Sequence, residues 1–216
     1  MEDHIRILFI NPNSDQHTCE LIQQTISRFP QDNCHTDVTF LKTAPKLISG
    51  YEDRVVAAGE LTQLLRENED HYDAFVLACH ADPNLDLARE VSAKPVIGIA
   101  EASMKIASSM GNGFAVISPN PKAQSAKYAL VHKYYLDPFL KGVVVSNSDT
   151  PEDLLAAARE AAKIPCVDTI VLGCANYTGA DAFVEKYLGL PVIDGVACAL
   201  FLAYSLARYN RYKVKV

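Results

Sequence analysis

One segment of the chain occurs twice, and each copy places a cysteine after an apolar run. Residues 73–83 read DAFVLACHADP and residues 168–177 read DTIVLGCANY, which aligns Cys79 with Cys174. In both copies an aspartate opens the apolar run, a small residue precedes the cysteine, and a polar turn follows it. Short continuous apolar runs are typical of strands inside a parallel sheet, so each cysteine is predicted at the carboxyl end of a buried strand.

Two further segments repeat in the same order along the chain. Residues 9–14 read FINPNS and match VISPNP at 116–121, while KPVIG at 94–98 matches LPVID at 190–194. Three matched segments in one order predict two homologous halves. A pseudo-two-fold axis relating these halves would let the two cysteines face each other across a cleft.

Apolar runs and amphipathic stretches alternate along the chain, for example the predicted strands at 5–10 and 38–41. This alternation predicts an α/β fold of mostly parallel sheets flanked by helices. We expect residues 1–97 with 196–216 to form one lobe and residues 98–195 the other, together making one compact catalytic unit formed by duplication. Ligands of such sheets bind beyond the carboxyl ends of the strands.

Composition limits the classes of partner. The chain has 216 residues, 49% of them hydrophobic, and a net charge of -6, so it can bury a sizeable core and has no broad basic surface for nucleic acid. Its amino terminus, MEDHIRILFI, lacks the basic start of a signal peptide, and no apolar run approaches the ~18 residues of a membrane span. We therefore expect a cytoplasmic protein that acts on a small molecule; a homo-oligomer stays open.

Six cysteines are present and none belongs to a CxxC pair, which argues against a disulfide framework or a structural zinc site. Free cysteine usually packs as a small apolar residue. We expect that incidental role for the four cysteines outside the repeat, which are Cys19, Cys34, Cys166 and Cys198.

Polar residues at the turns are candidate ligand contacts. Asn13 or Ser14 can cap a following helix, and the free backbone N–H groups there can hold a carboxylate or carbonyl oxygen; simple capping is the alternative. Glu101 is predicted in the first turn of a helix, where it either caps the helix or orients a substrate. Asp73 and Asp168 open strands, far from the carboxyl ends, and are interpreted as structural.

Two cysteines at equivalent positions permit one specific reaction. A thiolate whose pKa is lowered by nearby donors is a good base near neutral pH. If one thiolate takes a proton from a carbon and the opposite thiol returns one, the stereocentre is inverted without cofactor or metal. The carbon must fit between sulfurs roughly 7 to 10 Å apart. Backbone N–H groups after the cysteines, at His80–Ala81 and Ala175–Asn176, can stabilise the developing enolate.

A metal site is the alternative for the first cysteine. Cys79, His80 and Asp82 are all residue types that bind zinc. No further ligands cluster near them in the sequence. We therefore predict no metal, but the alternative stays open at this point.

Four motifs together resemble the aspartate/glutamate/hydantoin racemases, and within them the hydantoin and allantoin racemase branch. They are NPN at 11–13, DAFVLACHADP at 73–83, PVIGIAEAS at 95–103 and VLGCAN at 171–176. The resemblance covers nearly the whole chain. It implies two α/β lobes with the active site in the cleft between them, no cofactor, and Cys79 and Cys174 as the acid–base pair. The implied substrate contacts are Asn13, Ser14, His80, Ala81, Ser118, Ala175 and Asn176, with Glu101 as a further candidate.

The chain departs from that branch beside both cysteines. Hydantoin racemases usually have glycine where this chain has His80, and commonly AGM where it has Ala175–Asn176–Tyr177. These departures bear on the substrate more than on the proton chemistry. His80 either lends positive charge to the Cys79 thiolate or turns its side chain away from it.

We favour a racemase for a 5-substituted hydantoin or allantoin. An aspartate or glutamate racemase is the next candidate, although that class usually has Asn-Thr after the first cysteine. Decarboxylases of the same fold need only one cysteine. A non-catalytic small-molecule sensor on this fold is the alternative from a different class.

Overall fold

The computed structural model describes residues 4–214, which divide into two compact units. Unit 1 comprises residues 4–99 with 199–214, and unit 2 comprises Ala100–Cys198. Within the described range the chain forms eight strands and eight α-helices. That the two units make one catalytic unit by duplication stays a prediction.

Unit 1 contains a four-stranded sheet in the order β2-β1-β3-β4, and every neighbouring pair is parallel. Its strands are β1 (Ile5–Asn11), β2 (Cys34–Phe40), β3 (Ala74–Leu77) and β4 (Val96–Gly98). Its helices are α1 (Gln16–Ser27), α2 (Tyr51–Asn68) and α3 (Leu85–Val91). Parallel neighbours need a crossover connection, and these helices supply it.

Unit 2 contains a second parallel sheet in the order β6-β5-β7-β8, which is the strand order of unit 1. The strands are β5 (Phe114–Ser118), β6 (Leu140–Val145), β7 (Thr169–Leu172) and β8 (Val192–Ile193). Its helices are α4 (Ile99–Met110), α5 (Pro121–Lys133), α6 (Pro151–Ala161) and α7 (Asp181–Leu188). Helix α8 (Gly195–Val214) begins in unit 2 and belongs to unit 1 from Ala199 onward. The predicted α/β class with parallel sheets is confirmed.

The core lies on the central strands of each sheet. In unit 1 these strands bury Phe9 and Phe75 completely, and in unit 2 Ile117, Ile170 and Leu172 pack with α6. Each fully buried side chain of this size contributes about 1.5–3 kcal/mol relative to an exposed one. The register of the central strands is thereby fixed, and with it the positions of the residues that follow their carboxyl ends.

Two predictions about the ends of elements were wrong. Strand β2 begins at Cys34 and not at residue 38, because this edge strand carries polar residues that an apolar-run criterion misses. Helix α1 is preceded by Asp15 as its N-cap residue, so neither Asn13 nor Ser14 caps it. Among residues 4–214, no helix combines the length and the hydropathy of a membrane span.

Candidate active site

The two repeated cysteines lie at equivalent places in their sheets. Cys79 follows β3 by two residues and Cys174 follows β7 by two residues. The residue before each cysteine donates its N–H to the neighbouring strand: Ala78 to the Ile10 carbonyl at 2.9 Å, and Gly173 to the Ile117 carbonyl at 2.8 Å. The same hydrogen bond therefore positions both cysteines.

Cys174 is held at the start of a short helical turn. It is the N-cap residue of a 3-10 helix, Ala175–Tyr177, and its backbone is extended. Burial raises the pKa of the Cys174 thiol, whereas the N–H groups of Asn176 and Ala175 and the Lys127 ammonium act to lower it. The net effect raises the Cys174 pKa. The lowered thiol pKa expected from the sequence is therefore wrong for Cys174, because desolvation of the thiolate outweighs the nearby donors.

Two buried residues accompany Cys174, and sequence reasoning missed the first of them. Lys127 of α5 is only 4% exposed. Tyr177 is buried too, and its pKa is raised by burial and by the negative charges of Cys174 and Asp149. Lys127 shares a helix face with the buried residues Leu130 and Val131. The sequence signal for a buried Lys127 was its spacing of three and four residues from these apolar residues of the same helix.

Cys79 begins a tighter turn. The Asp82 N–H donates to the Cys79 carbonyl at 2.9 Å, and Asp82 has a positive φ of 40°. The Asp82 carboxyl group lies against the end of β4, since a Cβ atom on Gly98 would stand 2.3 Å from its carbon. A side chain at position 98 would therefore displace the Asp82 carboxyl group.

His80 is buried, with 2% of its surface exposed. Its imidazole is consequently packed within the protein and not displayed to solvent. Ala81, the next residue, is half-buried. Whether His80 acts on the Cys79 thiolate stays a prediction.

The carboxyl end of β1 carries a buried amide cluster. The Asn11 side chain donates to Asn13 Oδ1 at 2.8 Å and to the Asp15 carbonyl at 2.9 Å, and Asn13 Oδ1 also accepts from the Asp15 N–H. Asn13 thus fixes the turn through its side-chain oxygen, which accepts both hydrogen bonds. Asn11, the first residue of the NPN motif, has a buried Oδ1 with no hydrogen-bond partner among the described residues. Ser14 is half-buried, and its N–H donates to the Pro45 carbonyl.

The end of β5 is also closed by local hydrogen bonds. Ser118 is buried and its hydroxyl donates to the Asn120 carbonyl at 3.2 Å. Asn120 caps α5 by accepting from the Ala123 N–H at 2.8 Å.

Glu101, in the first turn of α4, is buried and forms an ion pair with Lys105 one turn later.

Each unit therefore brings together its own set of predicted site residues at the ends of adjacent strands. In unit 1, the loop after β1 and the loop after β3 supply Asn13, Ser14, Cys79, His80 and Ala81. In unit 2, the ends of β5 and β7 supply Ser118, Cys174, Ala175 and Asn176. Substrate contact by any of these residues, or by Glu101, stays a prediction.

The other cysteines have different surroundings. Burial raises the pKa of Cys34 to about 11 and that of Cys198 to about 12, so both stay protonated near neutral pH. Cys166 is exposed, at the surface of unit 2. Cys166 is therefore a reference for an accessible thiol away from the strand ends.

Comparisons with known proteins agree on one family. The family model for Asp/Glu/Hydantoin racemase matches residues 7–203. A hydantoin racemase of Paenarthrobacter aurescens is 31% identical over 214 residues, which are 94% of this chain and 91% of that protein. An allantoin racemase structure from Klebsiella pneumoniae is similar with a TM-score of 0.89 and 25% identity, covering 95% of this chain and 89% of that one.

A more distant structure shares the fold. A glutamate racemase from Francisella tularensis subsp. tularensis SCHU S4 superposes with a TM-score of 0.65 at 18% identity. The match covers 98% of this chain and 83% of that chain. At this level of identity the similarity concerns the fold alone.

Proposed function

Because the chain belongs to the Asp/Glu/Hydantoin racemase family, we propose that it is an isomerase, a cofactor-independent racemase that inverts a stereocentre next to a carbonyl. The proposed substrate is a 5-substituted hydantoin or allantoin. One observation carries the proposal: Cys79 and Cys174 follow equivalent strands of two sheets with the same strand order. The similarity to a hydantoin racemase and to an allantoin racemase structure supports the substrate class.

The proposed reaction moves one proton off the carbon and another onto its opposite face. One cysteine thiolate removes the proton, and the electron pair delocalises into the neighbouring carbonyl to form an enolate. The thiol of the other cysteine then donates its proton to the opposite face. The two cysteines exchange protonation states, so the enzyme that has acted on one enantiomer is ready for the other.

Unit 2 contributes more than a thiol. The N–H groups of Ala175 and Asn176 and the ammonium of Lys127 all favour the thiolate of Cys174. Groups fixed in advance of the reaction stabilise developing charge without reorganising. Burial nevertheless keeps the Cys174 pKa raised in the free protein, so this cysteine is mostly a thiol near neutral pH.

The substrate class is tested with single enantiomers. Purified protein is incubated with each enantiomer of allantoin and of several 5-alkyl hydantoins, and with D- and L-aspartate and glutamate. Optical rotation and chiral chromatography follow the loss of enantiomeric purity against a protein-free sample. We expect racemisation of allantoin or a hydantoin in both directions. Racemisation confined to the amino acids, or none at all, contradicts the proposal.

The raised pKa of Cys174 predicts a pH dependence for the Cys79→Ser variant in D2O. Cys174 is its remaining strand-end thiol, and only the thiolate can remove a substrate proton. Below the raised pKa the thiolate fraction increases tenfold per pH unit, so proton exchange should accelerate about tenfold per unit between pH 7 and 9.

NMR follows this exchange as loss of the substrate proton signal. The Cys79→Ser/Cys174→Ser variant measures the background, because hydantoins also exchange in base without enzyme. A net exchange rate that levels off at or below about pH 9, where an unshifted thiol titrates, would mean that burial does not raise the Cys174 pKa.

A further inference from the structure

We propose that Asp194 is a positioning residue that tunes the reactivity of the Cys174 thiol by fixing the turn that follows it. The inference rests on the proposed function in one respect, that Cys174 exchanges protons with a substrate. Asp194 comes directly after β8, and only 4% of its surface is exposed. Its position in the chain gives no hint of a link to Cys174, which lies in a different loop.

The Asp194 carboxylate joins two separate segments of unit 2. Oδ1 accepts the Val196 N–H at 2.8 Å and the Ala197 N–H at 3.3 Å, at the start of α8. Oδ2 accepts the Gly179 N–H at 2.8 Å, and both oxygens lie within 2.9 Å of the Thr178 hydroxyl. Four donors therefore surround one buried carboxylate. Burial raises the pKa of Asp194, while the hydrogen bonds from Gly179 and Thr178 oppose that rise.

The segment held by Asp194 is the end of the Cys174 turn. Thr178 is the C-cap residue of the 3-10 helix Ala175–Tyr177. Within this turn the Tyr177 N–H donates to the Cys174 carbonyl at 3.1 Å, and the Thr178 N–H donates to the Ala175 carbonyl at 3.1 Å. The turn is thus tied internally, and Asp194 anchors its far end. Asp194 therefore restrains the turn whose Ala175 and Asn176 N–H groups favour the Cys174 thiolate.

Unit 1 contains a similar arrangement, but there the carboxyl group belongs to the cysteine turn and not to the end of the edge strand. There the aligned residue at the end of the edge strand is Gly98, which has no side chain, and the carboxylate comes from the cysteine turn itself as Asp82. A Cβ on Gly98 would lie 2.3 Å from the Asp82 carboxyl carbon. In both units, a buried carboxyl group therefore lies between the cysteine turn and the end of the adjacent edge strand.

The test measures the pH profile of Cys174 alkylation by iodoacetamide from pH 7 to 10.5, with each cysteine quantified by peptide mass spectrometry. Asp194→Asn keeps the size of the side chain but presents an NH₂ group to N–H donors. We expect the alkylation midpoint of Cys174 to rise by about one pH unit, equivalent to about tenfold slower reaction at pH 8. The midpoint reports the thiol pKa, whereas the plateau rate reports only access.

Asp168→Asn is the matched control. Asp168 also accepts backbone N–H groups, from Asn112 at 2.7 Å and Gly113 at 3.4 Å, but at the amino end of β7, the strand that Cys174 follows. This variant should lose stability without moving the Cys174 midpoint. Equal midpoints for Asp194→Asn and wild type, or an equal shift in Asp168→Asn, would overturn the inference.

Thr178 provides a second, milder pair of variants in case Asp194→Asn does not fold. Thr178→Val removes the hydroxyl that donates a hydrogen bond to Asp194. It should raise the alkylation midpoint of Cys174 by about half a pH unit, which means about threefold slower alkylation below the midpoint. Thr178→Ser retains the hydroxyl and should keep the wild-type midpoint. An unchanged midpoint in Thr178→Val contradicts the inference. In every variant that racemises substrate, kcat should fall as the alkylation midpoint of Cys174 rises, whereas KM should stay near the wild-type value.

The outcomes separate this inference from the proposed function. If wild type racemises no substrate but Asp194→Asn still shifts the midpoint, the positioning role stands and the proposed function fails. If Cys174→Ser abolishes racemisation but Asp194→Asn leaves the midpoint unchanged, the function stands and the positioning role fails.

Discussion

Replacing Cys79 or Cys174 by serine should lower the racemisation rate by a factor of about 10³ or more, since general acid–base groups contribute about 10² to 10⁴ each. A serine hydroxyl is a far weaker acid than a thiol, so it can act neither as the general base nor as the proton donor. Chiral chromatography of the preferred hydantoin or allantoin enantiomer measures the loss. Cys166→Ser, which removes an exposed thiol, should retain wild-type activity.

Hydrogen isotopes distinguish two bases from one. In D2O the wild-type protein should place deuterium first in the product enantiomer, because the abstracting thiol and the donating thiol serve opposite faces. Each single serine variant retains one strand-end thiol and should still exchange the proton of one enantiomer, with retention of configuration. The two variants should prefer opposite enantiomers. Exchange of the same enantiomer by both, or wild-type racemisation by either, would replace the two-cysteine mechanism with a one-base mechanism.

Gly173→Ala should lower the free energy of unfolding by about 3 kcal/mol and remove activity, because overpacking against backbone cannot be relieved by a rotamer change. A Cβ atom at this position would stand 2.2 Å from the Ile117 carbonyl oxygen and 2.8 Å from Val116 Cγ1. Relief requires β5 and the Cys174 loop to separate, which breaks the 2.8 Å hydrogen bond from Gly173 to Ile117. Urea denaturation measures the stability change, and the racemisation assay measures the effect on the site.

Gly59→Ala is the control with the opposite expected sign. Gly59 lies within α2, and a Cβ atom there meets nothing within 4 Å. Alanine should stabilise the helix by about 0.5–1 kcal/mol because glycine has the greater backbone freedom in the unfolded chain. A Gly173→Ala protein as stable as Gly59→Ala would mean that the close approach at Ile117 is relaxed easily.

The placement of the cysteines could be predicted because it depends on local signals. The apolar runs before Cys79 and Cys174 are short and continuous, and such runs become the central strands β3 and β7. Alternating strands and helices then favour parallel sheets, whose ligands bind at the carboxyl ends. The repeated segments added the equivalence of the two cysteines, and both sheets have the same strand order.

Edge strands and caps were harder to predict because their signals are weaker than those of the core. Strand β2 includes the polar residues His35, Thr36 and Asp37, and it is a strand because β1 offers it hydrogen bonds. Asp15 is the N-cap residue of α1 by position, and Asn13 does not cap the helix because its Oδ1 accepts from the Asn11 amide and the Asp15 N–H instead. Residue type alone does not decide between candidates that stand side by side.

The sequence by itself determined the α/β class, the family and the two cysteines at strand ends, because periodicity and motif are local properties of the chain. Only the tertiary structure decided how Cys174 is tuned. Its thiol pKa depends on burial and on Lys127, which is distant in sequence, and its turn is anchored by Asp194. Such contacts arise when sheet packing brings separate loops together, and the net pKa is a difference between desolvation and donor effects that no linear pattern encodes.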